Sequence, residues 1–319
     1  MSNGKPSVAI VGAGIAGLAA AKELRAAGIE PTVFEKSCGL GGRMATRRAG
    51  DYQFDHGAQY FTAKGERFRA VVADWRATGS TGLWGDDRHV GTPGMVAPAR
   101  ALAGDLDVLH GFQVSALLRA GTGDWMIRSS DPADVAATGP FDAVILALPA
   151  PQAAPFVTPT GVALDGLADV RMAPCWALLI GAGLRPHLPG GALRPDDPVI
   201  GWIADNTSKP ERSAYGCSLV VHATPAWSRA NLELAPEAAA AVLLEHARKL
   251  VEIDASPSYL VAHRWRFALV EQAAGVPCVW NADARLGACG DWCIGPRVEA
   301  AFDSGEAMAR VVLETLGGA

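Results

Sequence analysis

An α/β fold is predicted by three observations. A short apolar strand, Val8–Val11, runs straight into Gly12-Ala-Gly14-Ile-Ala-Gly17. A second strand at 31–34 ends in Glu35. Beyond about residue 153, prolines become frequent and the patterning turns strand-like. The first two define a βαβ unit of the dinucleotide-binding kind, and the third an antiparallel-sheet domain.

The glycines of the first turn have separate tasks. Gly12 permits the tight turn, Gly14 lets the backbone approach a pyrophosphate, and Gly17 lets the helix lie close on the strand. The helix starts near Ile15 and runs through Ala27 to its stop at Gly28. The amides around Ile15 and Ala16, and the helix dipole, favour phosphate. Glu35 stands where a carboxylate meets ribose hydroxyls. These residues alone leave NAD(P) and FAD both open.

A second glycine turn follows at once, Lys36-Ser-Cys-Gly-Leu-Gly41-Gly42-Arg43. It suits a long cofactor whose pyrophosphate is held from a second side: Gly41 and Gly42 let the chain pass, and Arg43 can pair with phosphate. Residues 51–55 read as a strand, followed by His56-Gly57-Ala58-Gln59-Tyr60-Phe61, whose small pair Gly57-Ala58 suits a backbone pressed on a flat ring. Residues 66–76 have helical spacing, with Phe68, Val71, Val72 and Trp75 on one face. The glycine-rich stretch 79–94 crosses to a second layer and back, and 93–102 opens another helix. Residues 107–118, 125–129 and 141–148 read as a three-strand insert, with 144–148 fully apolar and stopped by Pro149 and Pro151.

In the second domain, 176–181, 199–203, 217–223 and 260–267 read as strands, and 236–253 as a helix with Ala241, Leu244, Ala247 and Val251 on its stripe. Three phrases stand out: 202–210 with Trp202, Asn206 and Lys209; 222–228 with Trp227; and 262–265 with His263, Arg264 and Trp265. They supply aromatic planes and a few donors, able to stack on a nicotinamide or adenine ring and to reach phosphate or carboxamide. Taken singly, Trp202, Trp227 and Trp265 each read first as core anchors of a sheet facing a helix. Near the end, a short strand leads to Gly290-Asp291, and Arg297-Val298-Glu-Ala300 opens the last helix.

Composition is half apolar and 19% charged, with a net charge of −5 and no basic run, which gives no case for nucleic acid. No run of 18 residues is continuously apolar, so no membrane span is expected. With the first strand starting at Val8, no disposable leader is expected. The six cysteines form no CxxC pair and no cluster with histidine, so no metal site is expected, and reduced thiols fit a cytoplasmic enzyme.

The GxGGR phrase at 39–43, after the first glycine turn and Glu35, resembles the flavin amine oxidase superfamily. Residues 55–62 and the three later phrases narrow the likeness to the renalase family, over nearly the whole chain. The resemblance implies a Rossmann-type FAD-binding domain of the glutathione reductase/p-hydroxybenzoate hydroxylase kind (1–75, 93–152 and 285–319) and an antiparallel-sheet substrate domain (76–92 and 153–284). It implies non-covalent FAD held by Gly12, Gly14, Ile15, Ala16, Gly17, Glu35, Lys36, Gly42, Arg43, Gly57, Ala58, Gln59, Val114 (at the adenine edge), Gly290, Asp291, Arg297, Val298 and Ala300. The family has Gly where this chain has Ala300. The implied activity is oxidation of the 2- and 6-dihydro isomers of NAD(P)H to NAD(P)+, with O2 reduced to hydrogen peroxide. His263 and Gln59 are the expected catalytic residues, and Tyr60, Trp202, Asn206, Lys209, Trp227 and Arg264 the expected substrate contacts. Two alternatives stand beside it: an amine oxidase of the same fold, for which Lys209 is the lysine in a plausible segment, and a non-turnover redox flavoprotein using Cys289 and Cys293.

Overall fold

In the computed structural model, which describes residues 5–121, 123–134 and 136–317, the chain divides into two units: residues 1–42, 99–171 and 270–319, and residues 43–98 and 172–269. The boundaries differ from those expected from sequence. Residues 43–75 and 93–98 belong to the second unit, because the hairpin Thr46–Ala49/Tyr52–Asp55 packs on its sheet. Residues 153–171 and 270–284 belong to the first; Val279–Asn281 pairs there with Leu286–Ala288.

The first unit is built on a six-stranded sheet in the order Val279–Asn281, Leu286–Ala288, Ala143–Leu146, Val8–Val11, Pro31–Glu35, Val108–His110. Every pairing is parallel except the outermost, 279–281 with 286–288. Val8, Ala9 and Ile10 are fully buried at its centre, as a continuous apolar run in a parallel sheet requires. The helices Ile15–Ala26 and Val298–Gly317 pack together: a Cβ on Gly305 would lie 2.2 Å from the Ala16 carbonyl oxygen, so only glycine allows this approach. The expected strand 107–118 is two strands, because Gly111 turns with φ +72°. The three-strand insert is therefore Val114–Arg119, Trp125–Ser129 and Thr138–Phe141, and Ala143–Leu146 belongs to the parallel sheet.

The second unit holds a five-stranded sheet in the order Ala192–Leu193, Ile200–Asp205, Cys217–Ala223, Arg171–Ala182, Tyr259–Gln272. Side chains alternate between its faces. One face carries Trp176, Leu178, Ile180, Leu219 and Val221 against the Pro236–Leu250 helix, whose buried stripe is Ala239, Ala240, Leu243, Leu244 and Ala247. Ala241, expected on that stripe, is exposed. The other face carries Ala177, Leu179 and Val220 under Tyr52 and Phe54 of the hairpin. No described helix is long and apolar enough to cross a membrane.

Candidate functional site

In the first unit the two glycine turns lie together. The Gly41 amide donates to the Ala13 carbonyl at 2.9 Å, and a Cβ on Gly42 would come 3.8 Å from the Gly14 Cα. Gly12 has φ +107°, and a Cβ there would meet the Ala147 oxygen at 2.6 Å; one on Gly17 would meet the Gly12 oxygen at 2.1 Å. Both are glycine for packing. Gly14 is different, since a Cβ on it would meet no protein atom within 4 Å. No side chain caps the helix that Gly14 begins, so its first amides lack a side-chain partner.

Glu35 accepts the Ala13 amide at 2.9 Å on one carboxylate oxygen and the Ser37 amide at 2.8 Å on the other. It thus braces the first turn, and each oxygen keeps a lone pair. The Phe112 amide donates to the Glu35 carbonyl, bringing the start of the Val114 strand to the same end of the sheet. Lys36 is exposed. From the chain's other end, the Gly290 amide donates to Ser304 Oγ at 3.1 Å and the Trp292 indole to the Leu148 carbonyl at 2.9 Å. Asp291 and Ala300 are buried, Val298 is half-buried, and Arg297 is exposed. These residues fit a dinucleotide: an uncapped helix start, glycine with open space beside it, and a buried carboxylate two hydrogen bonds deep in the loop.

In the second unit a fully buried polar network occupies the 55–61 segment. Lys209 Nζ donates to Asp55 Oδ2 at 3.0 Å, Gln59 Oε1 at 3.2 Å and Asn206 Oδ1 at 3.3 Å, which uses all three of its protons. Arg212 reaches the same Asp55 oxygen at 2.7 Å, and Thr46 and the Met95 amide take the other. Burial works against the Asp55 charge, but Lys209 and Arg212 outweigh it and hold the carboxyl well below the usual range. Burial pushes Lys209 down to about 8, against the pull of Asp55.

Three residues expected at the ligand meet in this network. Gln59 accepts from Asn206 and Lys209 and donates to the carbonyls of Asp55 and Gly57, so its amide is spent inside the protein. Asn206 and Lys209 are likewise committed to the network. All three hold the segment through hydrogen bonds within the protein. Gly57 owes its lack of a side chain to the Arg43 carbonyl, which a Cβ would meet at 2.0 Å, and Ala58 donates its amide to that carbonyl. Arg43 Nη1 donates to the Ala268 carbonyl at 3.2 Å.

Beside the network, His56 organises a cluster of rings. Its carbonyl accepts the Trp265 indole N–H at 3.0 Å and contacts His222 Nε2 at 3.2 Å. Its ring lies 4.9 Å from His263 and 5.1 Å from Trp265, and Tyr60 lies 5.9 Å from Trp202. Trp202 and His222 are register partners, so they share a sheet face with Trp265. Burial, above all, lowers His56, His222 and His263, each to about 4, leaving three neutral imidazoles. The buried nitrogens His56 Nδ1 and Trp202 Nε1 have no hydrogen-bond partner among the described residues.

Arg264 does not join His263. It points to the opposite face, donates to Leu232 O and Glu233, and lies over Trp176. Trp227 packs against the helix-side core. Adjacent strand residues face opposite ways, which splits the 262–265 phrase. Sequence reasoning missed Arg212, His56 and His222. Arg212 sits just past the 202–210 phrase, and the two histidines lie inside phrases already singled out.

A model of an NAD(P)-binding Rossmann-like domain matches residues 10–75. The 1-hydroxycarotenoid 3,4-desaturase of Flavobacterium sp. (strain P99-3) is 47% identical over 53 residues, 17% of this chain and 11% of that protein. A 4,4'-diapophytoene desaturase (4,4'-diaponeurosporene-forming) of Staphylococcus haemolyticus (strain JCSC1435) is 48% identical over 50 residues, 16% of this chain and 10% of that protein. The chain thus spans about a tenth of the length of these curated relatives. Two solved structures share the fold across 98% of this chain and 100% of theirs, each at 13% identity. One, from Exiguobacterium sp. 255-15, is provisionally described as a protoporphyrinogen oxidase, with a TM-score of 0.75. The other is cyclohexylamine oxidase from Brevibacterium oxydans IH-35A, with a TM-score of 0.68. The chain therefore carries a Rossmann-like domain and shares its overall fold with these two solved structures.

Proposed function

We propose that this chain is an FAD-dependent oxidase that converts the 2- and 6-dihydro isomers of NAD(P)H to NAD(P)+. The overall reaction is dihydronicotinamide plus O2 plus a proton, giving the oxidised nicotinamide and hydrogen peroxide. The observation that carries the reading is the meeting of residues from all the family-like phrases around His56: Trp265 and His222 on its carbonyl, His263 against its ring, and Trp202 against Tyr60.

Bound FAD would supply the hydride acceptor at N5 and return the electrons to O2. Its holders in the first unit are the amides after Gly14, with Glu35, Gly42, Val114, Gly290 and Asp291. The work of the second unit is orientation. Loss of hydride makes the nicotinamide ring cationic, and the faces of Tyr60, Trp202 and Trp265 favour that charge. No base is needed for hydride loss, which suits three imidazoles that burial has made weak bases. The unpartnered indole N–H of Trp202 can orient a carboxamide by a hydrogen bond.

An ammonium substrate finds less here, because Lys209 is sealed in the network and the Asp55 carboxylate is already paired with Lys209 and Arg212. A thiol redox sensor is also disfavoured: Cys289 and Cys293 are fully buried, and burial pushes the Cys293 thiol up to about 12. The experiment is aerobic turnover with separated dihydronicotinamide isomers and a panel of amines. One peroxide per isomer oxidised is expected. Peroxide from amines alone would replace this reading with an amine oxidase.

A further inference from the structure

Arg47 stands opposite Phe54 in the hairpin register. Phe54 is fully buried and stacks on Tyr259 at 5.3 Å, and Ala49, two residues along from Arg47, packs into the same cluster. Thr46 faces the other way, where it bonds Asp55, and Arg48 shares its side. Arg47 is therefore directed to the sheet face that carries His263 and Trp265. It is half-buried, and among the described residues it has no carboxylate or hydrogen-bond partner.

A half-buried guanidinium with no counter-charge gains from an anion that completes it. The carboxylate that acts on His56, Asp55, is already bonded by Lys209 and Arg212. After burial, the positive charge of Arg47 is a further reason that His56 and His263 stay neutral. His56 also keeps a buried Nδ1 without a partner. A fixed cation and two neutral imidazoles, one with an unused nitrogen, make a donor set for a tetrahedral oxyanion.

We propose that Arg47, flanked by His56 and His263, is an anion-recognition site that takes a phosphate of the substrate. The choice of a dinucleotide phosphate rests on the reading given under Proposed function; the preference for an oxyanion does not. Such a site would favour phosphorylated dihydronicotinamides over the uncharged riboside and would repel amines.

The test uses FAD-loaded protein, so that the first unit's phosphate contacts are already filled. Arg47→Met is compared with Arg48→Met, which removes the same charge from the exposed side of the same hairpin. Binding of inorganic pyrophosphate is followed by tryptophan fluorescence, and KM and kcat by isomer oxidation. Wild type and Arg48→Met should bind pyrophosphate alike, and Arg47→Met about tenfold or more weakly. Its KM for dinucleotide isomers should rise to match, with kcat nearly unchanged and the riboside unaffected. Unaltered pyrophosphate binding in Arg47→Met, or an equal loss in Arg48→Met, overturns the proposal. If Arg47→Met does not fold, Arg47→Lys carries the same expectation at smaller size, since it keeps the charge and loses the paired donors. A wild type that no isomer reduces, but whose pyrophosphate binding depends on Arg47, would keep this site and discard the substrate assignment.

Discussion

The Lys209 ammonium lies 3.0 Å from the Asp55 carboxylate, and both side chains are fully sealed from solvent. That bond joins the 55–61 segment to the 202–210 segment. Lys209→Met would leave Asp55 with Arg212 and strip a donor from Gln59 and Asn206. Removing one partner of a buried pair costs about 3–5 kcal/mol, to be read from the urea midpoint. The double variant Lys209→Met/Asp55→Asn should lose less than the sum of the singles. A lysine acting on the flavin would instead give a slow enzyme of normal stability.

Gly14 and Gly17 separate cofactor binding from packing. A Cβ at Gly17 would meet the Gly12 oxygen at 2.1 Å, so Gly17→Ala should destabilise by about 1–3 kcal/mol. Gly14→Val meets no protein atom near its Cβ and should keep the melting temperature of the apoprotein while retaining FAD poorly. Flavin absorbance after gel filtration, set beside apoprotein melting, distinguishes the two.

The neutral histidines predict acid sensitivity. His56, His222 and His263 titrate near 4 when folded, against an ordinary 6.5, so the unfolded chain binds more protons between these values. Their contribution is complete above about pH 6.5 and is lost as pH falls to about 4. Melting temperature across that window should fall less steeply for His222→Asn than for wild type, once the two are matched at pH 8.

Arg264→Ala should leave KM for the isomers unchanged and alter stability by about 1 kcal/mol or less, because its ion pair with the exposed Glu233 is on the helix side of the sheet. A raised KM would place Arg264 in the substrate site after all.

The dinucleotide unit was legible in the sequence because its chemistry is backbone chemistry. Gly12, Gly14, Gly17 and Glu35 lie within some 25 residues of chain, and most of the sterics and hydrogen bonds that fix them are local to it. The substrate unit was legible only as phrases. Lys209 and Gln59 could be picked out, but a polar side chain in a motif reads the same whether it meets a ligand or a buried carboxylate 154 residues away. The 262–265 phrase held one residue for each face, and only the strand's alternation divides His263 from Arg264. Asp107–Leu118 read as one strand because Gly111 interrupts an otherwise even alternation without a proline or charge run to mark it.

The most direct measurement is anaerobic titration of the purified holoprotein with separated 2- and 6-dihydro isomers of NADH and NADPH, followed at the flavin absorbance band. The account predicts a yellow protein whose flavin bleaches with one equivalent of an isomer and regains its colour on admitting air. A colourless protein that takes up no flavin, or a flavin left fully oxidised by every isomer, would contradict it.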